Sequence, residues 1–141
     1  MEELVGLLEH ECSLAMELRI QLALLQQLID SGEIRQVEEA ADEVSQCLIE
    51  VRESEWLRES ELARLARSHG LAPEASLDDL TKIASPAVRA QIQAQANNLG
   101  ALAADIELAG KQASSAAGAC LSDLETFGAL RLQVLPTGQT G

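Results

Sequence analysis

From Glu33 to His69 the chain contains neither glycine nor proline, and its apolar residues fall at Ile34, Val37, Ala41, Val44, Leu48 and Val51, then at Leu62 and Leu65. Steps of three and four place these side chains on one face of an α-helix. A helix this long needs another helix alongside to bury that face. Glu55 and Arg58 occupy the stripe between Val51 and Leu62. Charged residues there predict a local slip of the seam, with Trp56 and Leu57 taking over the packing, as at a coiled-coil stutter. His69-Gly70, followed by Pro73, is a helix end, because glycine accepts the left-handed conformation just past the last turn.

The flanking segments supply the partners. Leu4, Leu8, Ala15, Leu18, Leu22, Leu25 and Ile29 form a stripe interrupted only by Glu11, with Leu7, Leu14 and Leu28 widening it and Asp30-Ser31-Gly32 closing the helix. Ser76-Leu77-Asp78-Asp79 has capping-box spacing and predicts a short helical turn from Leu77 to Ile83. Ser85-Pro86 opens a further helix, since proline loses nothing at the first helical position. Its apolar residues run through Val88, Ile92, Ala96, Leu99, Leu102, Ile106, Ala109, Ala113, Ala116, Cys120 and Leu124 to Phe127. Between Ala109 and Cys120 the side chains are nearly all small, which predicts weak packing there. The expected fold is all-α, an antiparallel three-helix bundle of long coiled-coil-like helices with a short helical turn before the third. One helical domain over residues 1–135 is expected to precede a flexible tail at 136–141.

Composition narrows the function. Trp56 and Phe127 are the only aromatic residues, which argues against a β-sandwich or barrel. Twenty-three acidic against ten basic residues give a formal net charge of −13, so nucleic acid and anionic membrane are poor partners. Cys12, Cys47 and Cys120 lack the spacing of a disulfide framework or a zinc site; the first two are expected near helix interfaces. The first residues carry no basic leader and no apolar run spans a bilayer, so a cytoplasmic location is expected.

Catalytic signals are absent from the pattern. His10-Glu11 begins a zincin motif, but Leu14 stands where the second histidine is required. A phosphotransfer histidine needs a surrounding that stabilises phosphate, whereas Glu11 follows His10 and the helix stops at His69. The reading is a binding protein, not an enzyme, without metal or cofactor.

Three segments then stand in a recognisable order: Arg64-Leu65-Ala66-Arg67-Ser68-His69-Gly70-Leu71, Ser76-Leu77-Asp78-Asp79-Leu80, and the Gln/Asn-rich stretch from Gln91 to Leu102 with Asn97 and Asn98. Their order resembles that of the FlgN family of flagellar type III export chaperones over essentially the whole chain. The resemblance implies a cytoplasmic chaperone that binds C-terminal helical segments of hook-filament junction proteins and delivers them to the membrane component of the export gate. It also implies that the end of the last helix serves the cargo, here through Leu121, Leu124, Leu130 and Leu132, and that a Tyr-Gly pair docks to the gate. Phe127 and Gly128 match that pair, without the phenolic hydroxyl. The rival expectation is a structural coiled-coil scaffold oligomerising through the same helix, and either a monomer or a homodimer fits the pattern.

Overall fold

The computed structural model describes residues 1–117, which are all-helical apart from short connections. Four helices follow one another: α1 (Glu2–Ser31), α2 (Ile34–Ser68), α3 (Leu77–Ile83) and α4 (Pro86–Ala117). At 1.5 Å per residue, α1 is about 45 Å long.

Local chemistry sets the boundaries. Gly32 ends α1 at φ 72°, with its N–H donating to the Ile29 carbonyl and that of Glu33 to Leu28. Gly70 repeats the arrangement at φ 69°, where the N–H of Leu71 donates to the Ala66 carbonyl. In α3 the capping box closes both ways: Asp79 N–H donates to Ser76 Oγ at 3.2 Å, and Ser76 N–H to Asp79 Oδ2 at 3.0 Å. The Ser76 donor holds the Asp79 carboxyl below its ordinary range. Ser85 Oγ accepts from Val88 N–H at the start of α4, and the Arg89 guanidinium ties that start to the Thr81 and Ala84 carbonyls.

α1 is the shared element, packed along both α2 and α4, while α3 lies against α4 and α2. Among the described residues α2 and α4 come close to each other only marginally. The core is one cluster: Leu4, Leu8, Leu18, Leu22 and Leu25 of α1 meet Val44, Leu48, Val51 and Leu65 of α2, Leu80 of α3, and Ile92, Leu99 and Ile106 of α4. Cys12 and Cys47 are buried within it.

Two expectations are corrected. The α2 seam does not slip: its buried residues step through Val44, Cys47, Val51, Ser54, Arg58, Glu61 and Leu65 by strict threes and fours. Trp56 and Leu57 therefore stay outside, at 65% and 45% exposure. The reason is that Arg58 finds Glu11 across the interface, so its charge does not push the helix to rotate. Ile34 is 76% exposed instead of joining the stripe, since it begins α2 just beyond the last residue of α1. Within the small-residue stretch that begins at Ala109, Gly110 and Ala113 are buried and Ala109 packs on the core, Ala116 is exposed, and 118–120 lie outside the described residues.

Candidate functional site

Glu11, which interrupts the apolar stripe of α1, meets Arg58, one of the two charged residues in the stripe of α2. Arg58 Nε donates to Glu11 Oε1 at 2.7 Å, with Arg58 Nη2 at 3.5 Å from Oε2. The pair is 2% and 0% exposed, a charged layer set across a leucine interface. Arg58 also faces Glu55, on which Arg52 acts as well, and Glu59 lies near enough to act on both carboxylates. Arg58 thus serves two carboxyl groups, Glu11 and Glu55. Burial pushes Glu11 above its ordinary range, against the pull of Arg58, and Glu55 is raised by the same cause. One turn before Arg58, the hydroxyl of Ser54 is buried with no hydrogen-bond partner among the described residues.

Composition and periodicity register Glu11 and Arg58 only as defects. A signal was present nonetheless: each stripe carries one interrupting charge or charge pair, the signs of Glu11 and Arg58 are opposite, and they stand 21 and 26 residues either side of Gly32 (32 − 11 and 58 − 32). The next turn of α2 repeats the chemistry at its edge, where Arg64 makes a bidentate pair with Glu61, both contacts at 2.7 Å. That pairing lowers the Glu61 carboxyl from its ordinary value.

The contacts between α1 and α4 fix a level along the structure. Cys12 Sγ lies 3.5 Å from the Gln95 carbonyl and Arg19 Nη1 3.5 Å from Asp105 Oδ2, offsets of 83 and 86 residues. The same offsets carried to Ser31 give positions 114 to 117 (31 + 83 and 31 + 86). α1 is therefore used up where the described part of α4 ends. Leu121, Leu124, Phe127, Gly128, Leu130 and Leu132, and with them Cys120 and the tail at 136–141, lie outside the described residues.

His10 is exposed on α1 beside Glu9 and Glu11, and His69 is exposed at the end of α2, its Nδ1 2.9 Å from the Leu65 carbonyl. Burial pushes the Cys12 thiol up to about 11, with the Glu11 carboxylate adding to the effect. Cys47 is raised likewise by burial. Neither is a ready thiolate at neutral pH. Among the described residues no cluster of three His, Cys, Asp or Glu side chains could hold a metal ion, and no helix is long and apolar enough to cross a membrane. An open groove of about 670 Å³ near the α1–α2 turn is lined by Leu24, Leu28 and Ala40 together with Gln21, Gln36, Glu39, Asp42 and Glu43. It has no basic group and no buried polar convergence of the kind that orients a small molecule. No protein-family model, curated protein or solved structure matches the chain.

Proposed function

We propose that this chain is an export chaperone of the FlgN type, active without catalysis or cofactor. In this reading it is an antiparallel three-helix bundle in which α1, α2 and α4 reverse direction in turn. The end of its last helix holds helical segments of hook-filament junction proteins and presents them to the membrane component of the export gate. The observation that carries the reading is the level at which α1 ends. Carried along the helices, the offsets of the Cys12–Gln95 and Arg19–Asp105 contacts set its last residue level with positions 114 to 117, and the sequence that follows has apolar residues at 121, 124, 127, 130 and 132. The reading takes these residues as a strip that receives an amphipathic helix of the cargo.

The acidic surface agrees with this use, since it keeps the chain off nucleic acid and anionic lipid. The test is calorimetric titration of the full chain with C-terminal helical peptides of junction proteins. Leu124→Ala or Phe127→Ala is expected to weaken binding by roughly 1–3 kcal/mol, and the exposed Glu38→Ala to leave it unchanged. Equal effects from all three would place the cargo elsewhere. No binding by the wild type, together with a dimer that Leu124→Asp dissociates, would favour the scaffold reading instead.

A further inference from the structure

The one tryptophan of the chain lies on the surface. Trp56 is 65% exposed, and α2 carries Leu57 beside it at 45% and Ile49 at 49%. Ile49 and Trp56 are seven residues apart, two turns of helix, so they share a face and stand about 10 Å apart along the axis. Glu50 repeats to Leu57 by the same step, forming an adjacent row, and Glu53 lies between the two rows. All five side chains are exposed. Glu50 and Glu53 make no hydrogen bond or ion pair among the described residues.

Folding does not account for this arrangement. The α2 seam runs through Val51, Ser54, Arg58 and Glu61 without using Ile49, Trp56 or Leu57. Scattered surface leucines need no explanation, but three large apolar residues within nine positions, one of them tryptophan, form a patch of the kind that anchors interfaces. Charge selects the occupant. The patch is interleaved with Glu50 and Glu53 and flanked by the exposed Arg52, which acts on Glu55, on a chain of net charge −13. A second copy would set Glu50 and Glu53 against acidic surface, and a phosphate-bearing partner would meet the same repulsion. A helix with apolar residues at i, i+4 and i+7 and Lys or Arg flanking them satisfies both rows together.

We propose that the Ile49–Trp56–Leu57 face of α2 docks a basic amphipathic helix of a partner protein, with Trp56 as the apolar anchor and Glu50 and Glu53 as the charge contacts. This surface is separate from the C-terminal strip of the proposed chaperone function and does not depend on it.

Trp56 reports its own burial. The full chain is titrated with a synthetic Leu/Lys amphipathic peptide of about 18 residues, long enough to form a helix, and with its Leu/Gln counterpart. The Leu/Lys peptide should shift Trp56 emission to the blue and saturate at one peptide per chain, and the Leu/Gln peptide should bind much more weakly. By calorimetry, W56A and the double variant E50K/E53K should each bind about tenfold or more weakly. E38K/D42K, the same charge change at exposed positions nearer the start of α2, and L124D should stay within about threefold of wild type. Circular dichroism confirms that each variant keeps its helix content. Equal weakening by E38K/D42K would mean attraction to net charge alone and would overturn the proposal. Loss of binding in L124D would move the peptide to the C-terminal strip, with the same consequence. A blue shift that grows with protein concentration in the absence of peptide would identify a second copy as the occupant and also refute it.

Discussion

The buried pair between α1 and α2 gives the sharpest test of how the interface is held. Arg58 Nε and Glu11 Oε1 are 2.7 Å apart with both side chains almost fully excluded from water. At such a site the desolvation of two ions offsets much of their attraction, so the pair as a unit adds little stability. Removing one partner is different, because the other charge is left buried. The expected loss is about 3–5 kcal/mol for a single removal, roughly a fifth or more of the stability of an ordinary domain. The surroundings add an asymmetry. Without Arg58, Glu11 faces Glu55 and Glu59 and loses the guanidinium it is bonded to, while Arg52 acts on Glu55; without Glu11, Arg58 still faces Glu55. Arg58→Met should therefore destabilise more than Glu11→Leu. The double variant Glu11→Leu/Arg58→Met should return to within about 1 kcal/mol of wild type or exceed it. Urea unfolding followed by far-UV circular dichroism at pH 7 measures all four corners of the cycle, and thermal midpoints should move by about 4 °C per kcal/mol. Single variants that each lose under 1 kcal/mol, or a double variant as unstable as the sum of the singles, would refute a buried, mutually compensating pair.

Other outcomes follow from individual positions. Gly6→Ala, on an exposed turn of α1 with open space around it, should stabilise by about 0.5–1 kcal/mol. Gly70→Ala should destabilise by about 1 kcal/mol because of φ 69°, also in open space; equal and positive effects in urea unfolding would contradict the left-handed cap. Glu55 has its carboxyl raised above 4.5 by burial, so the folded chain holds that proton to higher pH than the unfolded chain. Its contribution is fully present below 4.5 and is lost as pH rises through the folded value. Glu55→Gln should then flatten the decline of the melting temperature as pH rises from 4.5 toward neutrality relative to wild type, and an unchanged slope would count against the burial. Cys12, with its thiol near 11, should resist iodoacetamide at pH 8 in the folded chain and react on unfolding; peptide mass mapping reads this out, and rapid labelling of the native protein would refute it.

The parts of the fold that were legible in the sequence are those fixed by a few adjacent residues. Gly32, the Ser76–Asp79 box and Ser85-Pro86 set element boundaries that agree with the structure to within a residue or two, because a cap satisfies its own backbone groups locally. The apolar stripes of α1, and of α4 as far as Ala113, are likewise where spacing puts them, with Leu18, Leu22, Leu99 and Ile106 all buried, whereas Ala116 is exposed. What spacing could not supply is the partner of a charge. Glu11 reads as a defect until α2 lies beside α1, and Arg58 reads as a reason for α2 to rotate. Their attraction exists only between helices, so a single-helix pattern misplaces Trp56 and Leu57 on the inside. The cargo and docking residues from Leu121 to Leu132 rest on the sequence and its resemblance alone, since they lie outside the described residues.

The two interfaces of α1 are held by different physics, and this bears on which part of the proposed chaperone can respond to cargo. Toward α2 the register is fixed by charge. A slip of one heptad would carry Arg58 about 10 Å from Glu11 and leave two buried ions without partners. Toward α4 the buried contacts come from Ile92, Ala96, Leu99, Ala103, Ile106 and Ala113, and the polar contacts across that interface include the Cys12 thiol with the Gln95 carbonyl at 3.5 Å and with the Asn98 side chain, and an exposed Arg19–Asp105 pair at 3.5 Å. Such exposed pairs are worth little. Shape therefore does more than charge to set α4 against α1, and shape discriminates among positions less steeply than an unpaired charge does. Under the proposed function this makes the α1–α2 hairpin the fixed platform. The helix whose sequence continues into the cargo strip is the one whose seat on that platform an incoming apolar helix can most easily bias.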